Sequence, residues 1–325
     1  MFNIIREYIR QSKRIVEDKE FNEIYKDLEK DIIEIEKIRK ETVIKVLKSY
    51  FLSLIMLVIF LILEQKTDIV IPHFINVIFI IFISYIIMKS VFEFVKNKKM
   101  YIDKYKTDIL IESIKKINQN IEYFPEQGIE LNIYNEANFD EATFNEYKSK
   151  DYIKINSKNN INISRVILNQ INYNDHKEER YKIFDGIYCY VPTNKRIQRI
   201  CLKKSMQNII MQNGQLKLDS ENFEKYFNVF SENRMLTMQV LTPAVMETIN
   251  SFINECIINF EIVIQNDKIH FKFYTGPISP PEYFDLNYKH RMERNKRYIY
   301  YYYSIFKFII KITDYLSTSL ERLDV

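Results

Sequence analysis

Side chains able to do chemistry are few in this chain, and they are scattered. The four histidines (His73, His176, His270 and His290) share no metal-ligand spacing and form no HExxH pair. His73 sits in a hydrophobic run. His270 alternates with apolar neighbours, which predicts an outward-facing strand position and not a ligand. His176, with Asp175, Glu178 and Glu179, has the composition of a ligand cluster but reads as a solvated charged loop. Three cysteines, Cys189, Cys201 and Cys256, are an odd number at wide spacings in hydrophobic surroundings. They make neither a disulfide framework nor a CxxC knuckle, and are expected to be small buried residues in a reducing compartment. With glycine only at 128, 186, 214 and 276, no glycine-rich loop is available to cradle a phosphate, and no GxSxG elbow occurs. The expectation is no catalytic residue, no cofactor and no metal.

Charge offers more. Lys96, Lys98 and Lys99 lie in one basic cluster over 89–106, and Arg291, Arg294, Lys296 and Arg297 in another over 289–297; either cluster accounts for the formal net charge of +4. Both are candidates for contact with anionic lipid. Tyr298–Tyr303 beside lysines has the ingredients of base stacking, but its helical period favours packing, so nucleic acid is not an expected partner. Heavy use of Ile, Asn, Lys and Tyr fits an AT-rich, bacterial coding sequence.

The elements that carry these residues begin with two hydrophobic runs. Ile69–Met88 has no formal charge, and Val46–Leu63 is interrupted only by Lys48, Ser49 and Ser53. About twenty apolar residues span a ~30 Å hydrocarbon core as a helix, and Lys48 is near enough to the end to snorkel. The first run starts about 45 residues in, which does not fit a secretory signal peptide. Residues 64–68 are too short a link for anything but antiparallel neighbours. That link is net acidic while the outer flanks are rich in lysine, which predicts both termini in the cytoplasm of a bacterial cell membrane protein with two spans.

Residues 1–45 read as one amphipathic helix whose Phe21, Tyr25, Leu28, Ile32 and Ile35 form a heptad seam. Residues 89–122 read as a second helix with Val95, Ile102, Tyr105 and Ile109 on one stripe. Either the two extensions pair as a coiled-coil stalk continuous with the hairpin, or each packs separately on the globular domain. The chain over 123–297 reads as mixed short elements. Asn135–Lys150 is polar and turn-forming. Strands are expected over 153–155, 161–166, 182–191 and 197–202, with Val191–Asn194 a turn between the last two. Asp219 and Glu221 open a short helix through Phe227. Thr242-Pro243 starts another with Val245, Ile249, Phe252 and Ile253 on one face. Strands 258–265 and 268–274 flank Asn266-Asp267 as a β-hairpin. Over 298–325 an aromatic helix, too short and too charged to span, either docks on the protein or lies in the membrane interface. The fold class expected is α+β: a two-helix transmembrane hairpin extended into a helical cytoplasmic stalk, then a soluble α+β domain with an antiparallel sheet.

Several motifs in this order resemble one family. Phe184-Asp185-Gly186-Ile187-Tyr188 with Val191-Pro192-Thr193-Asn194-Lys195 is similar to the F-x-G strand of the bacterial family called domain of unknown function 3137. Leu218–Phe230, including Phe223 and Phe227, resembles its L-x-D/S-x-x-F signature, and Leu241-Thr242-Pro243 its L-T-P helix start. Residues 21–25 and 36–40 are similar to the leader before its membrane hairpin. The resemblance implies a membrane-anchored module with no assigned catalytic residue, and a protein partner of the LemA type. Read physically, Phe184, Phe223 and Phe227 are core residues, Gly186 marks a bulge or a close approach, and Thr242 and Pro243 open a helix. The function expected is a non-enzymatic scaffold or adaptor. A membrane-tethered sensor of lipid or small ligand is the alternative, and an enzyme of unrecognised type comes third.

Overall fold

A computed structural model describes residues 15–66, 73–139, 142–174, 177–204, 214–218, 220–255, 259–274 and 292–323. The chain divides into two units. One holds Tyr25–Leu110 with Asp285–Lys296; the other holds Met1–Ile24, Ile111–Phe284 and Arg297–Val325.

The first unit is dominated by two long helices. α1 (Lys19–Asp27) is capped by Asp18, whose carboxylate accepts from the Phe21 amide at 3.0 Å. Among the described residues, the single helix expected over 1–45 is interrupted at Asp18 and again at Leu28. α2 (Glu29–Lys66) then runs uninterrupted for 38 residues through the first apolar run, about 57 Å at 1.5 Å per residue. Leu28, Ile35, Thr42, Ser49 and Met56 recur at seven-residue steps, with Ile32, Arg39, Val46, Ser53 and Phe60 between them. All ten are buried or half-buried, so the heptad read from Leu28–Ile35 continues into the apolar segment.

α3 (His73–Lys104) packs antiparallel against α2. Lys104 pairs with Glu34 at 2.5 Å near one end, and the Phe60 and Phe79 rings stack at 4.5 Å near the other. The stripe expected on α3 is displaced by one residue: Val95 is exposed, and the covered seam runs through Phe79, Ile83, Ile86, Ser90, Phe94, Asn97 and Tyr101. Those steps average closer to 3.7 than 3.5, so two steps of seven back from Ile109 stop at Val95, one residue short of Phe94 on the covered face. A π-helical turn (Tyr105–Ile111) buries Tyr105 and Ile109 as expected. α4 (Glu112–Lys115) ends the helix short of Glu122.

The second unit is a mixed sheet-and-helix structure whose strands are all antiparallel. β1 (Ile121–Phe124), β2 (Glu146–Ile155), β3 (Ile161–Asn174), β4 (Lys177–Lys204), β5 (Gln215–Leu216), β6 (Phe227–Ser231) and β7 (Phe260–Tyr274) make one seven-stranded sheet. β4 is its spine. β7 lines one edge of it from Gly186 to Leu202; β3 takes the other edge over Lys177–Tyr190 and β6 over Ile200–Lys204. Between the short helices α5 (Leu131–Glu136), α6 (Glu221–Glu224), α7 (Arg234–Val240) and α8 (Pro243–Glu255), the chain covers both sheet faces.

Two expected turns are absent. Val191–Asn194 does not separate two strands, and Asn266-Asp267 does not close a hairpin. β4 and β7 each continue straight through, and the two segments face each other. Between the pairs Pro192–Lys268 and Ile197–Asn266, β4 passes four residues while β7 passes one. The turn-forming residues serve a bulge: Asn266 takes φ 55°, which asparagine tolerates locally. Likewise Phe227 opens β6 and does not end a helix, and β2 begins at Glu146 inside the stretch read as turns.

The last helix, α9 (Met292–Glu321), settles the docking alternative for the aromatic segment. Tyr300, Tyr301, Tyr302 and Tyr303 are all buried, and the Phe308 ring stacks on Phe252 of α8 at 4.0 Å beside Phe260 and Phe273 of β7. Tyr300 and Tyr303 also clasp Phe21. A helix buried nearly all round belongs to a core.

Candidate functional site

The β4 bulge shapes the surface at one end of the sheet. Thr193, Asn194 and Lys195 stand between two adjoining hollows. One, of about 240 Å³, is bounded by Asn159, Asn160, Ser317 and Glu321; the other, of about 660 Å³, by Glu136, Arg196, Asn266 and Lys268. The Thr193 hydroxyl donates to the Lys195 carbonyl at 2.9 Å and fixes the bulge. Lys195 Nζ donates to the Leu323 and Glu321 carbonyls, so a cation closes the C-terminal end of α9, where the helix dipole favours it. Lys195 of the motif thus ties the last helix to the sheet. Lys158 meets Glu321 at 2.9 Å on the same rim.

Across the bulge, Lys268 bridges Glu136 at 2.9 Å and Asp267 at 3.1 Å. The hydrogen bond that the Lys268 ammonium donates to Glu136 holds its pKa above the ordinary value, and Lys268 in turn holds the Asp267 carboxyl down. Arg199 spans Gln265 and the Ala137 and Asn138 carbonyls at 2.8–2.9 Å. Arg196 and Asn194 are exposed. The groove therefore offers amides, a hydroxyl and paired charges.

Behind this groove lies His270, and its expected outward position is corrected: it is 1% exposed. The Ile129–Phe139 segment crosses the face that alternation assigned to solvent, bringing Tyr134 and Phe139 over it. His270 Nδ1 and the Tyr188 hydroxyl lie 2.7 Å apart, and that hydroxyl also donates to the Ile133 carbonyl. Burial pushes the imidazole down to about 4, with Lys268 adding to it, and pushes the Tyr188 phenol well up. Lys272 on the same face is buried, its ammonium 4.6–5.0 Å from the Phe139, Phe184 and Tyr274 rings. On the opposite face Arg165 and Asp185 form a buried bidentate pair at 3.0 and 3.2 Å, with Lys182 at 2.9 Å. Period-two alternation marks His270 and Lys272 as polar-face residues, and only the crossing segment makes that face an interior.

His270 carries a pH prediction. The folded ring holds a proton less tightly than the ordinary 6.5, so between about 4 and 6.5 the unfolded chain binds more protons. The stability from His270 is present in full above 6.5, is lost as pH falls through that window, and amounts to on the order of 3 kcal/mol at 1.36 per unit. Urea unfolding of the full chain in detergent at pH 4 to 7 reads it. Wild type is expected to lose more stability than His270→Gln across that range, and parallel curves for the two would contradict the assignment.

The family-motif residues fall where packing predicts. Phe184, Phe223 and Phe227 are buried, and the last two stack at 5.4 Å. Gly186 marks a close approach: a Cβ there would stand 2.1 Å from the Phe273 carbonyl. α8 starts at Pro243, and Thr242 Oγ1 accepts from the Val245 amide at 3.4 Å. Of the lipid candidates, Lys96, Lys98 and Lys99 are exposed, while Lys296 lies over the Tyr25 ring at 4.5 Å. Arg291 is outside the described residues, as are the side chains of Arg294 and Arg297. Cys189 and Cys201 are buried, as expected. Asp175, His176, Cys256 and His290 are outside the described residues. Among the described residues, no three His, Cys, Asp or Glu side chains gather as metal ligands.

Comparison with known proteins adds a family. No curated protein matches the chain. The crystal structure of the mycobacterial trehalose monomycolate transport factor A, TtfA, aligns over 62% of this chain and 94% of that one. Its identity is 7% and its TM-score 0.28, too low to carry an argument. Residues 182–318, from the motif strand β4 into the docked helix α9, match the family described as Protein of unknown function (DUF3137).

Proposed function

We propose that the chain is a membrane-anchored, non-enzymatic scaffold that presents the groove over the β4 bulge to a protein partner. The observation that carries the anchor is uncovered apolar surface. Over Ile44–Ile62 and Val77–Val95, α2 and α3 expose residue after residue of Leu, Ile, Val and Phe, and each apolar window is only 6% buried. A core helix of a soluble protein would be covered; a bilayer covers these faces instead. Lysines flanking the pair on one side support a reading with both termini in the cytoplasm of a bacterial cell. The helical pair then continues beyond the hydrocarbon as a coiled-coil stalk. The partner is a protein, with a LemA-type membrane protein the first to test.

Affinity capture of the full chain from its native membranes, compared with Arg196→Glu at the groove rim, tests the reading. A specific protein recovered with wild type and depleted with the variant is the expected result. Recovery of nothing above background would sink it. A second reading, lipid sensing, rests on the exposed Lys96, Lys98 and Lys99; the aromatic run does not contribute to it, because Tyr300, Tyr301, Tyr302 and Tyr303 are buried.

A further inference from the structure

Pairing of α2 with α3 brings lysines from two distant stretches of sequence to the same levels. The Glu34–Lys104 ion pair and the Phe60–Phe79 stack fix the register at both ends of the hairpin. In that register Lys48 lies within about two residues of the level of Lys89, Lys45 of Lys96, and Lys40 of Lys98 and Lys99. All seven lysines are exposed, against two exposed carboxylates, Glu41 and Glu93, in the same stretches.

The collar sits where a membrane boundary would fall. From Lys48 to Lys66, α2 rises about 27 Å, close to the ~30 Å hydrocarbon thickness. The exposed Tyr50 and Tyr85 lie within about a turn of the Lys48 and Lys89 level, on the apolar side, as interfacial tyrosines do. The remaining lysines extend outward from that boundary over about 12 Å on α2 and about 15 Å on α3, through a headgroup layer of about 5–8 Å and just beyond it.

We infer that Lys40, Lys45, Lys48, Lys89, Lys96, Lys98 and Lys99 form one collar that binds the headgroups of anionic phospholipids around the hairpin. The inference rests on the membrane anchoring proposed above and adds a lipid class and a site to it. Attraction of clustered lysines to an anionic leaflet is additive and screened by salt.

The test is lipid selectivity of the full chain reconstituted in mixed phosphatidylcholine and phosphatidylglycerol vesicles. Spin-labelled versions of each lipid report the fraction motionally restricted by the protein. Wild type is expected to select phosphatidylglycerol by roughly threefold or more at low salt, falling toward unity in high salt. The sets K40Q/K45Q/K48Q and K89Q/K96Q/K98Q/K99Q each lower it, while Lys177→Gln in the sheet unit leaves it unchanged. Equal selectivity in wild type and both sets, or no selectivity in wild type, overturns the collar. Absence of any restricted component for either lipid signals instead that the anchoring itself is wrong.

Discussion

Gly186→Val is expected to prevent the sheet from forming, and Gly186→Ala to destabilise it by more than about 3 kcal/mol. Gly186 pairs with Tyr274 at the point where β7 first meets β4. An added Cβ would stand 2.1 Å from the Phe273 carbonyl oxygen and under 3 Å from the Phe184 ring. The ring can turn, but the carbonyl belongs to a strand held by its ladder, so relief requires β7 to move away. That movement would also disturb Lys272 and Phe273, which pack on opposite faces. Circular dichroism of the full chain in detergent during urea unfolding reads the loss. Gly214→Asn is the contrast: Gly214 has φ 79° and open space where a Cβ would go, and asparagine tolerates that conformation. An unfolding midpoint for Gly186→Ala equal to that of Gly214→Asn would contradict the close approach.

Asp185→Ala is expected to cost about 3–5 kcal/mol, because it leaves the Arg165 guanidinium buried without its carboxylate. The pair is about 95% covered on both sides, at 5% and 4% side-chain exposure. Lys182, the third member, is half exposed at 50%, so water screens it and its share is small. Arg165→Met alone costs less, since Asp185 keeps Lys182. The double replacement Arg165→Met with Asp185→Leu recovers most of the loss, since two apolar side chains fill the site without a buried charge. A double-mutant cycle on unfolding free energies measures the coupling, and additivity of the two single changes would mean that the pair does not act as a unit.

The hairpin was legible from residues 46–88 alone because a membrane-sized apolar run is a local property, needing only composition and length. The α8 start was legible for a similar reason: Thr242-Pro243 sets its own backbone. The heptad on α2 could be traced because period reports which face is covered. On α3 the same reasoning missed by one residue, since its seam keeps a longer period than seven residues suggest.

The errors gather at β4 and β7. Val191–Asn194 and Asn266-Asp267 carry good turn signals, and each in isolation is a sound turn. Only the pairing of the two strands turns both into one bulge, and no window of sequence contains both partners. His270 and Lys272 show the same limit. Alternation gives the side of a strand but not what covers that side, and a segment more than a hundred residues earlier makes it an interior. The lysine collar likewise needs a register between helices that sequence does not encode locally. Sequence by itself determined the apolar helices, their lysine flanks and the strand-rich segment after them. Tertiary structure decided which turn signals became bulges, that the tyrosine helix is core, and that lysines from two helices share one level. Those outcomes depend on contacts between residues far apart in the chain.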